Sequence, residues 1–192
     1  MKLLNIQLRS ITNEDLINFI EKEKCISREV YSPLLNQYEV LVENWKKPAR
    51  KAIYCGMNNY LNNGAFIYNW FKKTGVKKLD EVNPIVLNYP ARKCLLFSDI
   101  WDLLSYLNIY SEVQDKIKEN VCLIVIAGVT KRDFRELGLS RFAKVGSCFK
   151  RDEDGDRQTR NFLKVYTNGI DIRNKELVGK ATSLNDVLKG DI

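Results

Sequence analysis

Apolar residues recur at helical spacing through most of the first 75 positions of the chain. A capping side chain followed by acidic residues, from Thr12 to Asp15, predicts the start of a short first helix. The same apolar spacing predicts two further helices, over about residues 27–45 and 49–73. We therefore expect a small helical domain over residues 1–82.

A change of pattern follows this domain. Residues 83–97 form a predicted linker, because Pro84 and Pro90 each disfavour helix at the residue before them. Asp99 then begins the first of three helices in tandem that we predict over residues 97–142.

The C-terminal third contains one ambiguous segment and two alternating segments. Residues 121–127 are apolar throughout, so periodicity fits a buried helix and a buried strand equally, and their position between two helices favours a helix. Residues 141–149 and 161–166 alternate like strands and predict a short β-hairpin. The predicted fold class is mainly α, with two small helical lobes and a β-hairpin near the C-terminus, the second lobe spanning residues 98–192.

Composition narrows the class of protein. The 192 residues are 45% hydrophobic and 29% charged, which is typical of a globular chain. The longest apolar run, residues 121–129, is too short to cross a bilayer, and the N-terminus lacks the pattern of a signal peptide. The five cysteines form no CxxC pair and there is no histidine. We expect reduced, mostly buried cysteines, no cofactor, no metal and an intracellular location, in the cytoplasm or nucleoid.

An acidic run in the C-terminal third tests the expectation that there is no metal. Asp152, Asp154 and Asp156 alternate as calcium ligands can, but Gly155 stands one place early for an EF-hand loop and Arg157 follows. We interpret the run as a polar turn, since Asp and Gly favour turns.

Positive charge is the strongest indication of a partner. The net charge is +7, and clustered basic residues are what phosphate binding requires. The predicted DNA-binding residues are basic pairs between positions 46 and 93, with two residues of the predicted hairpin: Lys46, Lys47, Arg50, Lys51, Lys72, Lys73, Lys77, Lys78, Arg92, Lys93, Arg160 and Lys164.

The order of these segments resembles the tyrosine recombinases, or phage-type integrases, especially archaeal ones. The segments that carry the resemblance are FIYNWFKKTG, the Asn83-Pro84 linker, PARK, FSDIWDLL and LIVIAGVTKRDFREL. The resemblance implies a helical core-binding domain followed by the start of a catalytic domain. In the last segment Gly128, Val129 and Leu137 match the family motif, while Thr130 replaces its first catalytic arginine, Asp133 its glutamate and Phe134 its leucine.

The missing groups set the expected function. The family uses paired arginines to stabilise the phosphoryl transition state and a histidine in a His-x-x-Arg box, and this chain has no histidine. The resemblance makes Lys164 or Arg160 the nearest candidate for the family's hairpin lysine. We expect a non-catalytic double-stranded DNA-binding protein, a regulator or accessory factor of a mobile element such as a virus or plasmid. Expected partners are DNA, a full-length recombinase or a second copy of the chain, and no membrane.

Two alternatives remain open. Residues 98–150 also resemble a SAM (sterile alpha motif) domain, through IWDLLSYLNI and the segment ending in Glu136-Leu137-Gly138-Leu139; that resemblance implies a protein-interaction or RNA-binding adaptor. A nuclease with an unrecognised site would use scattered acids such as Asp99, Asp102 and Glu112.

Overall fold

The computed structural model describes residues 2–44, 47–58, 64–69, 74–80, 85–87, 91–126 and 131–191. The chain divides into two compact units, Met1–Asn83 and Pro84–Ile192. Each unit contains a five-stranded sheet. No helix in the described ranges is long and apolar enough to cross a membrane.

The N-terminal unit is built on an antiparallel sheet with the strands in chain order. Its strands are β1 (Lys2–Arg9), β2 (Asn36–Asn44), β3 (Lys47–Asn58), β4 (Gly64–Asn69) and β5 (Thr74–Asp80). Between β1 and β2 lie α1 (Glu14–Asn18), a π-helical turn (Phe19–Glu23) and α2 (Arg28–Tyr31). The predicted first helix is confirmed, and the side chain of Asn13 caps it by accepting a hydrogen bond from Leu16 N at 2.9 Å.

The predicted helices over residues 27–45 and 49–73 are wrong. Cys55–Asn58 of β3 pairs antiparallel with Ala65–Tyr68 of β4, so the chain reverses direction between them. Neighbouring positions Tyr54, Cys55 and Met57 are all buried, which a strand covered on both faces permits. A continuous apolar stretch of this kind satisfies helical spacing by coincidence, and Asn62-Asn63-Gly64 is the turn signal that the helical interpretation passed over.

The C-terminal unit is an α/β unit with a mostly parallel sheet. Its strands are β6 (Ile85–Leu87), β7 (Lys93–Phe97), β8 (Val121–Val125), β9 (Lys144–Cys148) and β10 (Ile170–Asp171), in the order β10-β9-β7-β8-β6. Only β6 is antiparallel to its neighbour. The helices are α3 (Ile100–Ile109), α4 (Gln114–Asn120), α5 (Lys131–Glu136), α6 (Glu153–Val165), α7 (Arg173–Glu176) and α8 (Leu184–Lys189).

The predicted mainly α fold class is therefore wrong, and the fold is mixed α/β with two sheets. Residues 121–125 form β8, because a parallel strand buried on both faces reads as a continuous apolar run. The predicted C-terminal hairpin does not form, since residues 161–166 belong largely to α6. The strands β8 and β9 also exclude the five-helix SAM arrangement for residues 98–150. The predicted linker, residues 83–97, contains β6 and β7.

Aromatic side chains fill the core of the C-terminal unit. Phe134, Phe149 and Phe162 are fully buried, with ring centroids 6.1–6.4 Å apart. They pack with Cys94 and Cys122, which are partners in the ladder between β7 and β8. None of the five cysteines forms a disulfide bond, and all but Cys25 are buried, as the sequence predicted. This core fixes α6 against the sheet and so places the loop after β9.

Candidate ligand site at the carboxyl edge of the parallel sheet

The strand order defines one position in the C-terminal unit where a ligand site is expected. The chain passes from β7 to β8 on one side, and then crosses to β9 on the other side of β7. In open α/β sheets, ligands bind outside the carboxyl ends of the strands where the order reverses in this way. Here that position lies beyond Phe97 and Cys148, the last residues of β7 and β9.

An internal ion pair occupies this position. Lys150 follows β9, and its Nζ lies 2.5 Å from Oδ2 of Asp99, which follows β7. The other oxygen of Asp99 caps α3 by accepting hydrogen bonds from the backbone N–H groups of Trp101, at 2.9 Å, and Asp102, at 3.0 Å. Burial alone would lower the pKa of the Lys150 ammonium, but the carboxylates of Asp99 and Asp102 raise it above its usual value. Lys150 is therefore a fixed positive charge at the switch point.

A second carboxyl group lies beneath this pair. Asp102 is 1% exposed, and its Oδ1 accepts a hydrogen bond from Leu184 N at 3.0 Å. Among the described residues, no donor reaches its Oδ2. Burial, and then the negative charge of Asp99, raise the pKa of Asp102 well above its usual value, while Lys150 opposes that shift. A buried carboxyl group in such surroundings favours its neutral form.

Further charged groups beside the site are also paired. The guanidinium of Arg173 donates to Asp171 Oδ2 at 2.8 Å, to Asp156 at 2.5 Å and to the backbone oxygen of Lys150 at 3.2 Å. Of these partners, Asp171 ends β10, and Lys150 lies two residues after the end of β9. Arg173 therefore holds the loop after β9 and the end of β10 together.

The acidic run after Lys150 has a structural role that the predicted turn did not include. Asp152 caps α6, and its side chain accepts a hydrogen bond from Gly155 N at 2.7 Å. Asp154 accepts from Gln158 Nε2 at 3.0 Å, and Gln158 in turn accepts from Ser98 Oγ at 3.1 Å. Three acids in the first turn complement the partial positive charge of a helix N-terminus. The run is the start of a helix rather than a hairpin turn.

The chemistry available here depends on how the carboxylates are neutralised. Within the described ranges, no group of three or more histidine, cysteine or acidic side chains is arranged to hold a metal ion. Asp99 is instead paired with the ammonium of Lys150, and the raised pKa of Asp102 favours the neutral form of its carboxyl group. Glu112, the third acid of the nuclease hypothesis, lies in the 3-10 turn Ser111–Val113 after α3 and is exposed.

The structure separates the predicted DNA-binding residues. Lys46, Lys72 and Lys73 lie outside the described residues. Positions 47, 50 and 51 belong to β3, and positions 77 and 78 to β5, rather than to a helix or a linker. In the C-terminal unit, Arg92 and Lys93 are exposed at the start of β7, while Arg160 and Lys164 are exposed on α6.

Sequence reasoning missed Lys150, the residue that defines the site. As site residues, Asp99 and Asp102 were named only among the scattered acids of an alternative hypothesis. The available signal was a charged residue directly after an alternating segment, which marks the carboxyl end of a strand. It could be used only once residues 93–97 and 144–148 were recognised as parallel neighbours.

The state of Asp102 leads to a prediction about pH. Its folded-state pKa is raised, so the stability that it contributes is present below its unfolded pKa of about 4 and is lost as pH rises through the folded value. Asn mimics the neutral acid, so Asp102→Asn is expected to gain stability relative to wild type as pH rises above about 4, by up to about 1.4 kcal/mol per pH unit. Urea unfolding at pH 4 to 8 measures this difference.

The matched control for this prediction is Glu119→Gln, which neutralises an exposed acid at the end of α4. When the free energy of unfolding is plotted against pH, the curve of this variant should run parallel to that of the wild type. A constant difference between Asp102→Asn and wild type from pH 4 to 8 would show that Asp102 is ionised in the folded protein throughout that range.

Comparisons with known proteins bear on the fold. No protein-family model and no curated protein sequence matches the chain. Among solved structures, the chain is similar to the crystal structure of the primase fragment of the bacteriophage T7 primase-helicase protein. The TM-score is 0.56 and the identity 13%, over 88% of this chain and 68% of that chain. At this identity the likeness shows a shared fold.

This finding overturns the recombinase resemblance, which implied helical domains that the chain does not have. The sequence signals behind that resemblance were helix starts and apolar runs, which recur in many folds. The compared structure is a fragment of an enzyme, so the comparison does not favour the expected absence of activity and does not decide it. The chain shares an α/β fold with a phage primase fragment.

Proposed function

We propose that this protein binds double-stranded DNA and does not catalyse a reaction on it. The observation that carries the proposal is the Lys150–Asp99 ion pair at 2.5 Å, at the position where this sheet order places a ligand. An ammonium of the chain itself neutralises the carboxylate there. A divalent cation would have to displace a partly buried, hydrogen-bonded lysine, which leaves that charge without its partner.

The binding part of the proposal rests on charge and on the shared fold. The chain carries 31 basic and 24 acidic residues, a net charge of +7 that favours an anionic partner. The fold it shares is that of a fragment of a protein described as a primase-helicase, a name that denotes work on nucleic acid. A basic protein of this fold, with Asp99 already paired with Lys150, is suited to binding without chemistry.

A second candidate function is a metal-dependent nucleic-acid enzyme. The observation that favours it is Asp102, a buried carboxyl group with a raised pKa beside Asp99, because strongly perturbed groups cluster at functional sites. On this alternative, Lys150 would leave Asp99 when a cation and a nucleic acid bind. The two candidates make opposite predictions about magnesium.

The test combines binding and turnover. The wild-type protein is expected to bind a labelled duplex at low salt, and six phosphate contacts would give a slope of about −5 when log affinity is plotted against log salt concentration. Incubation with supercoiled plasmid and with a primed template plus nucleotides, with and without magnesium or manganese, should give no nicks, no adducts and no extension.

The variant Lys150→Met separates the candidates further. It should expose Asp99 and Asp102 to cations, so manganese binding measured by calorimetry should appear in the variant and be absent from the wild type. Lys175→Met, at an exposed lysine of α7, controls for the loss of one charge. Manganese-dependent turnover by the wild type would establish the enzyme instead. Absence of DNA binding at low salt would refute the proposed binding function.

A further inference from the structure

Exposed cations collect at the edge of the parallel sheet opposite the candidate site. Lys93 begins β7 and Lys144 begins β9, and the two residues are register partners in adjacent parallel strands. Neighbouring strands lie about 4.8 Å apart, so these two exposed lysines share one short stretch of surface. Arg92 joins them, because its backbone oxygen accepts a hydrogen bond from Ala143 N at 2.8 Å.

Two further elements bring basic residues to the same edge. Arg141 is exposed in the 3-10 turn Leu139–Arg141 just before β9, with its guanidinium carbon 4.9 Å from the centroid of the Phe142 ring. The backbone N–H of Leu139, in that turn, donates to the hydroxyl of Tyr166 at 3.1 Å. Tyr166 directly follows α6, so this bond holds the end of α6 that carries Lys164 beside the turn that carries Arg141.

The basic residues at the two edges of the sheet differ in whether they form ion pairs. At the carboxyl edge, Lys150 is paired with Asp99, and Arg173 with Asp171 and Asp156. At the amino edge, no ion pair within the described part of the chain involves Arg92, Lys93, Lys144, Arg160 or Lys164. Two exposed glutamates, Glu119 and Glu136, lie in the last turns of α4 and α5 near this edge. The basic residues outnumber these two glutamates, so this edge carries a clear excess of positive charge.

Helix α6 shows the same separation along its length. Its first turn carries Glu153, Asp154 and Asp156, while Arg160 and Lys164 are exposed further along.

Like charges on directly adjacent strands destabilise a sheet, so the Lys93–Lys144 pairing costs folding free energy. A bound polyanion would offset this cost, since phosphates neutralise lysines and release condensed counterions.

We propose that the amino-edge basic surface, formed by Arg92, Lys93, Arg141, Lys144, Arg160 and Lys164, is the surface of this protein that binds the phosphate backbone of duplex DNA. This inference rests on the proposed function and locates it. The surface lies at the opposite edge of the sheet from Lys150 and Asp99, so the DNA that it holds is kept away from that ion pair.

The test compares two double variants that remove the same charge from opposite edges. Lys93→Ala with Lys144→Ala alters the amino edge, and Lys175→Ala with Lys180→Ala alters exposed lysines beyond β10. Two lost phosphate contacts flatten the salt slope by about 2 and weaken duplex binding about 60-fold at 0.1 M salt. The control should stay within about twofold of wild type, since it loses no phosphate contact.

A second amino-edge variant, Arg160→Ala with Lys164→Ala, lies on the exposed face of α6 and tests the same surface without altering a strand. It should also flatten the slope by about 2. Equal losses in the amino-edge variants and the control would overturn the location while leaving DNA binding intact. A wild-type protein that binds phosphatidylserine vesicles and no duplex would instead refute the proposed function and this inference with it.

Discussion

Replacing Gly155 with alanine is expected to destabilise the C-terminal unit by about 3 kcal/mol or more. Gly155 lies in the first turn of α6, where a Cβ atom would overlap the backbone oxygen of Lys150 and lie 2.8 Å from its carbonyl carbon and 2.9 Å from its nitrogen. Backbone atoms cannot rotate away as the end of a side chain can. Either α6 or the loop that carries Lys150 must shift, so the cost includes the packing of the core and the position of the ion pair.

The comparison variant is Gly138→Ala. Gly138 has φ of +59°, and the nearest atom to its added Cβ is 4.0 Å away, on the Arg141 side chain. That variant should therefore cost about 1–2 kcal/mol, from the left-handed backbone alone. Urea unfolding is followed by the fluorescence of Trp101, which is buried in the C-terminal unit, in a background where Trp45 and Trp70 are phenylalanine. Equal stability of the two alanine variants would mean that α6 does not approach the Lys150 backbone this closely.

Truncating Phe162 to alanine is expected to cost about 4 kcal/mol. The side chain is fully buried, with its ring centroid 6.1 Å from that of Phe134, 6.4 Å from Phe149 and 6.0 Å from Tyr166. The loss includes the transfer of the ring from water and a cavity that the helix and sheet cannot close. Since whole domains are stable by about 5–15 kcal/mol, the variant should be close to unfolding at 37 °C. The same fluorescence assay measures it.

Phe162→Leu provides the graded control and should cost about 1–1.5 kcal/mol, because it retains most of the apolar volume. The hydroxyl of Tyr166, which stacks on Phe162, also joins the end of α6 to the turn before β9. Duplex binding by Phe162→Leu should stay near that of the wild type, as the basic surface is unchanged. If leucine and alanine cost the same, the site is loosely packed and the aromatic cluster does not hold α6 in place.

Local rules recovered the helix starts. Asn13 and Asp99 cap α1 and α3 with their side chains, and both were predicted as helix starts from the residue types alone. A helix cap depends on atoms within three positions of one another, so sequence order is enough to find it. The burial of most cysteines was also predicted, because they form no CxxC pair and free cysteine prefers buried positions.

Strands were missed where the sheet buries both of their faces. β8 has four buried residues in succession, and β3 has buried neighbours from Tyr54 to Met57. Such segments show no alternation, so their pattern cannot be told from that of a buried helix. For residues 161–166 the error was the reverse, because a strand was predicted where the structure has a helix. They alternate like a strand, but residues 161–165 belong to α6, which Asp152 caps and which buries Gly155, Thr159 and Phe162 at helical spacing.

The sequence by itself determined that this protein is globular and basic and that it has no histidine. These properties depend on composition, which no fold can change. Only the tertiary structure decided which charges meet. Asp99 and Lys150 are far apart in the chain and touch because β7 and β9 are parallel neighbours. Lys93 and Lys144 lie at the other end of the same two strands, and the same pairing brings them together. Strand order is set by long-range packing, and it placed an ion pair at one edge of the sheet and exposed cations at the other.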